Sequence, residues 1–283
     1  MNEFPENLQF DLGKYAAQLV DWLVENFSGF FDTTTSILRW TLTNLEDLLL
    51  WFPWWSVIIV VFLLGYRYTS LIGGITFSFL LFLVGTFGYW DLMMMTLAIV
   101  IGSVVISLII GIPIGIFMSY SRILENIMKP ILDLMQTMPT FVYLIPALIL
   151  FGMGKVPAVF ATIIYAVPPV IRLTSLAIQN VSKEMVEASN SFGASSWQTL
   201  KKVQLPQALP TIMTGINQTT MMALAMVVIA SMIGADGLGM EVLVAINRID
   251  IARGFEAGLG IVFLAIIIDR ITQGIANKSN VSK

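Results

Sequence analysis

The side chains able to do chemistry gather in two stretches of this chain. The first is a polar segment, 179–209, holding Lys183-Glu-Met-Val-Glu187-Ala188-Ser189, then Gly193, Trp197, Lys201, Lys202, Val203, Leu205 and Pro206. The second is a scatter of amides, hydroxyls and thioethers in apolar sequence: Gln136, Thr137, Pro139 and Tyr143, then Asn217, Gln218, Met221 and Met222. Neither is a catalytic constellation. The 283 residues include no His and no Cys. The commonest general base, the commonest transition-metal ligand, thiolate sites and disulfides are therefore absent, and no metal site is expected. No G-x-x-x-x-G-K-[ST] segment offers a phosphate cradle. Gly111-Ile-Pro-Ile-Gly115 lacks the lysine and reads as a site of close helix packing or a kink. What remains is mechanical work in the first stretch and passage of a small solute past the second.

The polar segment predicts two short helices meeting at a glycine. Ser182 is placed as an N-cap before Lys183-Glu184-Met185. That helix runs through Glu187 and Ala188 and stops near Gly193, which fits the left-handed position after a helix end. Ser195 or Ser196 caps a second helix, 197–203, which Pro206 ends. Phe192, Trp197, Val203 and Leu205 give the loop apolar knobs that suit a socket, where Glu187 can cap or pair.

The elements that must hold these residues are set by composition. Hydrophobic residues make up 57% of the chain and charged ones 12%, with mean hydropathy +0.84. Soluble domains carry roughly twice that charged fraction. Disorder is excluded by the hydrophobicity. Nucleic-acid binding is excluded by a net charge of −3 and a pI near 5.0. Apolar runs near the ~20 residues a bilayer needs lie at 48–65 (broken at Pro53), 71–88, 92–118, 138–152, 156–178, 212–233 and 255–268. Trp51, Trp54, Trp55, Tyr66, Tyr68, Tyr89 and Trp90 sit near their ends, as an interfacial belt should. Met93 to Met95 cannot all face one way and read as packing. Met1–Phe10 has no basic residue and reads as no cleavable signal. Between 11 and 50, Leu12, Tyr15, Ala16, Leu19, Leu23, Phe27 and Phe30 recur at helical spacing, with Lys14, Gln18, Asp21 and Glu25 opposite. That is an amphipathic helix, lying in the headgroup region or packed on the bundle.

Seven spans put the termini on opposite sides. One side then holds Arg67, Arg122, Lys129, Arg172, Lys183, Lys201, Lys202, Arg270, Lys278 and Lys283. The other holds Lys14, Arg39, Lys155, Arg248 and Arg253. The first side is cytoplasmic by the positive-inside rule, so the C-terminus is inside and the N-terminal helix outside. Eight of the eighteen acids precede residue 48, in agreement.

Glu187-Ala188-Ser189, three residues, Gly193, nine residues, Val203, then Leu205-Pro206 resembles the EAA loop of the membrane subunits of binding-protein-dependent ABC importers. The family pattern has Ala at the place of Ser189 and Ile at that of Val203. Asp133-Leu-Met-Gln136-Thr-Met-Pro139 with Tyr143 and Pro146, Pro168-Pro169-Val-Ile-Arg172, Gly215-Ile-Asn217-Gln218 and Ile233-Gly234-Ala-Asp-Gly237-Leu-Gly239 are similar to glycine betaine and proline betaine permeases. The long N-terminal segment is similar to that of osmoregulated betaine permeases of Gram-positive bacteria. The resemblance implies an all-α, polytopic membrane bundle of the type I ABC importer permease kind, with about seven spans plus an N-terminal amphipathic helix. It divides the chain into an interfacial segment 1–52, a permease domain 53–275 with its coupling loop at 179–209, and a cytoplasmic tail 276–283. It implies that the loop docks on an ATPase subunit, present in two copies, which alone holds ATP and Mg. It further implies a second copy of this chain, a separate extracellular binding protein, and a bacterial plasma membrane. The chain itself is expected to bind no cofactor and to be no enzyme.

Under that reading Gln136, Thr137, Pro139, Tyr143, Asn217, Gln218, Met221 and Met222 are the candidates for a solute path. Polar residues buried in spans line water or join helices, and lipid rejects them. Tyr143 and Tyr165 are weak candidates to meet a quaternary ammonium, with core packing the alternative. Asp269 beside Arg270 reads as a local ion pair or a headgroup contact, and Gly234 to Gly239 as a flexible external loop near a docked binding protein. The rival cargoes are other small polar solutes, choline or methionine. The rival class is an ion-coupled transporter, which internal repeats and mid-span charges would have marked.

Overall fold

The structure, a computed structural model, describes residues 11–281, and all its regular elements are helical. The readings on Met1–Phe10 and Lys283 lie outside the described residues. In chain order the helices are α1 (Leu12–Trp51), α2 (Trp54–Tyr68), α3 (Leu71–Thr86), α4 (Trp90–Tyr120), α5 (Arg122–Thr137), α6 (Phe141–Phe151), α7 (Lys155–Gln179), α8 (Lys183–Ser191), α9 (Ser196–Thr199), α10 (Leu205–Ala225), α11 (Val227–Ser231), α12 (Leu238–Arg248) and α13 (Ile251–Val281). Starts are set by side-chain caps where the sequence supplies them. Ser70 accepts from Gly73 N at 3.0 Å, and Ser121 from Leu124 N at 3.3 Å.

The seven apolar runs do not correspond to seven continuous helices. Among the described residues three single helices, α4, α7 and α13, are long and apolar enough to cross a membrane. The count rises to five if each of two bent pairs forms one span. The run 48–65 is split where Phe52 and Pro53 turn α1 into α2 by 94°. The run 138–152 contains only the 11-residue α6, set at 97° to the amphipathic α5. The run 212–233 is broken at Met226, between α10 and α11, and α3 has 16 residues. A hydropathy window measures composition and is blind to direction, so it counts a bend as a continuous span. α13 stays helical to Val281.

The center of the molecule is α7, packed mainly on α4 and α10. Within the 18-residue apolar window of α7, 72% of residues are buried, against 22% for α13. Lipid is as apolar as leucine, so helices associate by fit rather than by escape from water. Small residues provide that fit. A Cβ on Gly111 would stand 2.5 Å from Val170 Cγ1, and one on Gly115 would stand 2.7 Å from the Ile171 carbonyl. The glycine pair is therefore a packing device. Met93 and Met94 are both buried in the same core. Gly115→Val should force α4 away from α7 and lower the thermal midpoint of the purified protein, at an overpacking cost of about 1–3 kcal/mol. An unchanged midpoint in a detergent melt would show that the contact yields.

α1 divides into an exposed part and a packed part. Up to Phe30 nearly every described side chain is half or fully exposed, including Tyr15, Leu19 and Trp22. Its backbone leaves helical geometry at Phe27 (φ −124°, ψ 20°). Beyond that point it packs. Phe31 meets Phe151 edge to face at 5.6 Å, Leu42 is buried beside Gly102, and Glu46 pairs with Lys155 at the start of α7.

Candidate functional site

The polar segment builds a rigid angle at one end of the bundle. Ser182 stands at the N-cap of α8, but its hydroxyl bonds the Glu184 carboxylate at 3.1 Å and no backbone N–H. Gly193 closes the helix with φ +80°. Ala194 N returns to Ser189 O at 3.2 Å and Gly193 N to Asn190 O at 2.9 Å, so the last carbonyls are satisfied through a left-handed turn. α9 opens on a reciprocal capping box. Gln198 N donates to Ser195 Oγ at 3.4 Å, and Ser195 N donates to Gln198 Oε1 at 2.8 Å. The two arms are then stapled. Thr199 Oγ1 lies 3.0 Å from Ser189 Oγ and donates to Asn190 Oδ1 at 3.3 Å. Sequence reasoning missed this staple, because the residues are nine and ten apart and no local period relates them.

Pro206 does not end the second arm, contrary to expectation. After Thr199 the backbone passes into a π turn, Leu200–Gln204, and runs on into α10 with Leu205 and Pro206 in its first turn. Leu205 N bonds Leu200 O, one residue further back than in an α-helix. A first-turn proline needs no donor, so the register shift lets the helix continue through it. The arm is anchored elsewhere too. The Tyr120 hydroxyl at the end of α4 bonds buried Gln204, and Leu200 is buried with Ile178 and Ile212.

Three apolar side chains stand out from this frame: Phe192 (92% exposed), Trp197 (67%) and Met185 (50%). Glu187, Ala188 and Gly193 are exposed, and Ser189 and Val203 are half-buried. Ala188, Ser189, Gly193 and Val203 line a cleft of about 540 Å³ with Met185 and Lys202. Leu205 packs toward Ile178, and Pro206 is exposed. A rigid, solvated frame presenting apolar knobs suits a partner's groove.

The second set of candidates divides. Gln136, Thr137 and Pro139 sit exposed at the α5–α6 elbow, and the Thr137 hydroxyl donates to Asp133 O at 2.9 Å. Tyr143 is buried with its hydroxyl on the Met135 carbonyl, and Tyr165 is half-buried in the same core, so both serve packing. On α10 the neighbors part. Gln218 is exposed, whereas the Asn217 amide donates to Asp269 Oδ1 on α13 at 2.8 Å. Met221 and Met222 pack partly buried against the core with Leu224. Asp269 was expected to pair with Arg270. That contact is long, 3.9 Å, and its close partners are Asn217 and Gln273 Nε2 at 2.7 Å. The turn 234–239 is no flexible loop. Leu238 N bonds Thr96 Oγ1 at 2.8 Å, and a Cβ on Gly239 would meet Val227 O at 2.4 Å. Among the described residues no cluster of three or more Asp or Glu could hold a metal.

Residues 111–279 match the family of binding-protein-dependent transport system inner membrane components. The chain belongs to this permease family. The match takes in the frame at 183–206, α7 and α10. Over 276 residues the permease is 48% identical to the glycine betaine/carnitine transport permease of Listeria monocytogenes, covering 95% of this chain and 96% of the relative. It is 45% identical over 268 residues to the glycine betaine/proline betaine permease of Escherichia coli, covering 95% and 76%. It is 45% identical over 263 residues to the glycine betaine permease of Bacillus subtilis, covering 92% and 93%. Among solved structures, an inward-facing methionine ABC transporter chain superposes with TM-score 0.60 at 22% identity, over 65% of this chain and 93% of that one. The permease therefore has the type I importer fold, an all-α membrane bundle.

Proposed function

We propose that this permease carries glycine betaine, or a related quaternary-ammonium solute, into the cell by alternating access. The observation that carries the reading is the end-to-end identity of 48% with a glycine betaine/carnitine permease. The stapled frame at 183–206 supports the drive. A separate ATPase, two copies with ATP and Mg bound to them, receives Phe192 and Trp197 in its grooves. Closure of the ATPase pair turns the frame, and the frame turns α10 and the helices anchored to it. This chain binds no cofactor of its own. Two copies frame one pathway about a two-fold axis, and an extracellular binding protein delivers the solute. The frame and the C-terminus face the cytoplasm, and α1 lies at the external surface, where it braces the dimer. Glu187, Ala188, Ser189, Gly193, Val203, Leu205 and Pro206 form the coupling site. Gln136, Thr137, Pro139 and Gln218 are exposed enough to line the path, and Tyr143, Asn217, Met221 and Met222 support its walls.

The test is uptake of labelled glycine betaine into proteoliposomes holding the permease with its ATPase and binding protein. Uptake should require ATP inside and persist without an ion gradient. ATP hydrolysis with no betaine accumulation would discard the cargo, and uptake driven by an ion gradient alone would discard the drive.

A further inference from the structure

Two opposite charges meet across α5 and α7. Arg172 Nη2 donates to Asp133 Oδ1 at 2.5 Å. Both side chains remain accessible, Arg172 at 35% and Asp133 at 65%. The Arg172 Nε is buried and has no hydrogen-bond partner. Arg172 lies inside α7, seven residues before its end. α7 is the most enclosed of the three long apolar helices, so an arginine reaching the surface from it marks an opening. Gln136 and Thr137 follow Asp133 by three and four residues on α5 and are exposed. Lipid would reject this group, so it faces water or a partner.

The pair is neutral overall and strongly dipolar. A lone cation or a lone anion finds as much repulsion there as attraction. A small zwitterion finds a partner for each end. A guanidinium fork grips a carboxylate with two donors, and the accessible Nη end of Arg172 keeps hydrogens beyond the one it gives to Asp133. An alkylammonium can sit against the Asp133 carboxylate. Exchange of one ion pair for two leaves no charge unpaired, which keeps the step from being a trap or a barrier.

We propose that Asp133 and Arg172 form a station on the solute path matched to a zwitterion, with Arg172 taking the carboxylate and Asp133 the ammonium. The station rests on the transport reading above and names the feature of the solute that the path itself reads. The competing role is a structural tie between α5 and α7.

The chain has no cysteine, so Thr137→Cys gives it a single thiol one turn from the pair. In the assembled transporter, its labelling rate is measured with a trimethylammonium and a sulfonate methanethiosulfonate. Both reagents should react. Adding Asp133→Asn should raise the sulfonate-to-ammonium rate ratio about tenfold, and adding Arg172→Gln should lower it about tenfold, as unit charges at this range require. The neutral double variant Asp133→Asn/Arg172→Gln should restore the ratio. Betaine delivered by the binding protein should slow labelling beside the intact pair and not beside the neutral double. No labelling, or a ratio indifferent to both charges, would overturn the station. A mere tie predicts altered thermal midpoints with no betaine protection. Uptake of betaine by wild type in the same vesicles separates the two ideas. Uptake without the ratio shifts removes the station alone, while ratio shifts without uptake remove the cargo and the zwitterion match with it.

Discussion

Gly193→Val is expected to cut ATP-driven uptake by at least about tenfold, while Gly193→Asn retains most of it. The backbone at Gly193 is left-handed, φ +80°, and a Cβ there would meet no atom within 4 Å. Space is therefore available and conformation alone decides. An L-residue pays about 1–2 kcal/mol in this region, a β-branched one more, and asparagine least. That is enough to shift the population of the correct angle by about tenfold. With the angle lost, Ala194 can no longer reach Ser189 O, and Phe192 and Trp197 point apart. Uptake should fall together with the amount of ATPase that co-purifies, and the permease should still extract as a folded species. Equal losses for Val and Asn would show that the bend matters less than the absence of a side chain.

Lys155→Met should destabilize the permease by about 3–5 kcal/mol, because it leaves the buried Glu46 carboxylate without its partner, and Glu46→Gln by less, because the Lys155 ammonium left behind reaches solvent. The Glu46 side chain is 9% exposed and that of Lys155 27%. The pair ties the packed half of α1 to the first residue of α7, the helix around which the bundle is built. Glu46→Leu/Lys155→Met together should recover most of the loss, since an apolar pair of similar volume often equals or exceeds a buried ion pair. Thermal unfolding followed by tryptophan fluorescence reads all three variants. Additive losses in the double variant would mean that the two residues act through different partners.

Residue chemistry showed the class of fold directly. With no His, no Cys and long apolar runs, little besides a helical membrane bundle is left, and Gly193 marks its turn by local steric rules. What the sequence hid was direction and distance. Pro53 read as a break within one run and Pro139 as a candidate for the solute path, yet the chain turns near a right angle beside each. Pro206 looked like a stop, and a π turn carries the helix through it. Glu46 with Lys155, Asp133 with Arg172, and Asn217 with Asp269 lie 109, 39 and 52 residues apart. No period along the chain pairs them. The amphipathic face of α1 was legible as a face, but only the packing of Phe31, Leu42 and Glu46 shows where it leaves the surface.

The unbroken passage from α9 through the π turn into α10 has a mechanical meaning. A flexible joint at this place would behave as backlash in a gear: the first part of each stroke would be lost in taking up slack. Here the helical path is one piece from Ser196 to Ala225. Under the proposed drive, small displacements of its exposed end would arrive undiminished beside α7.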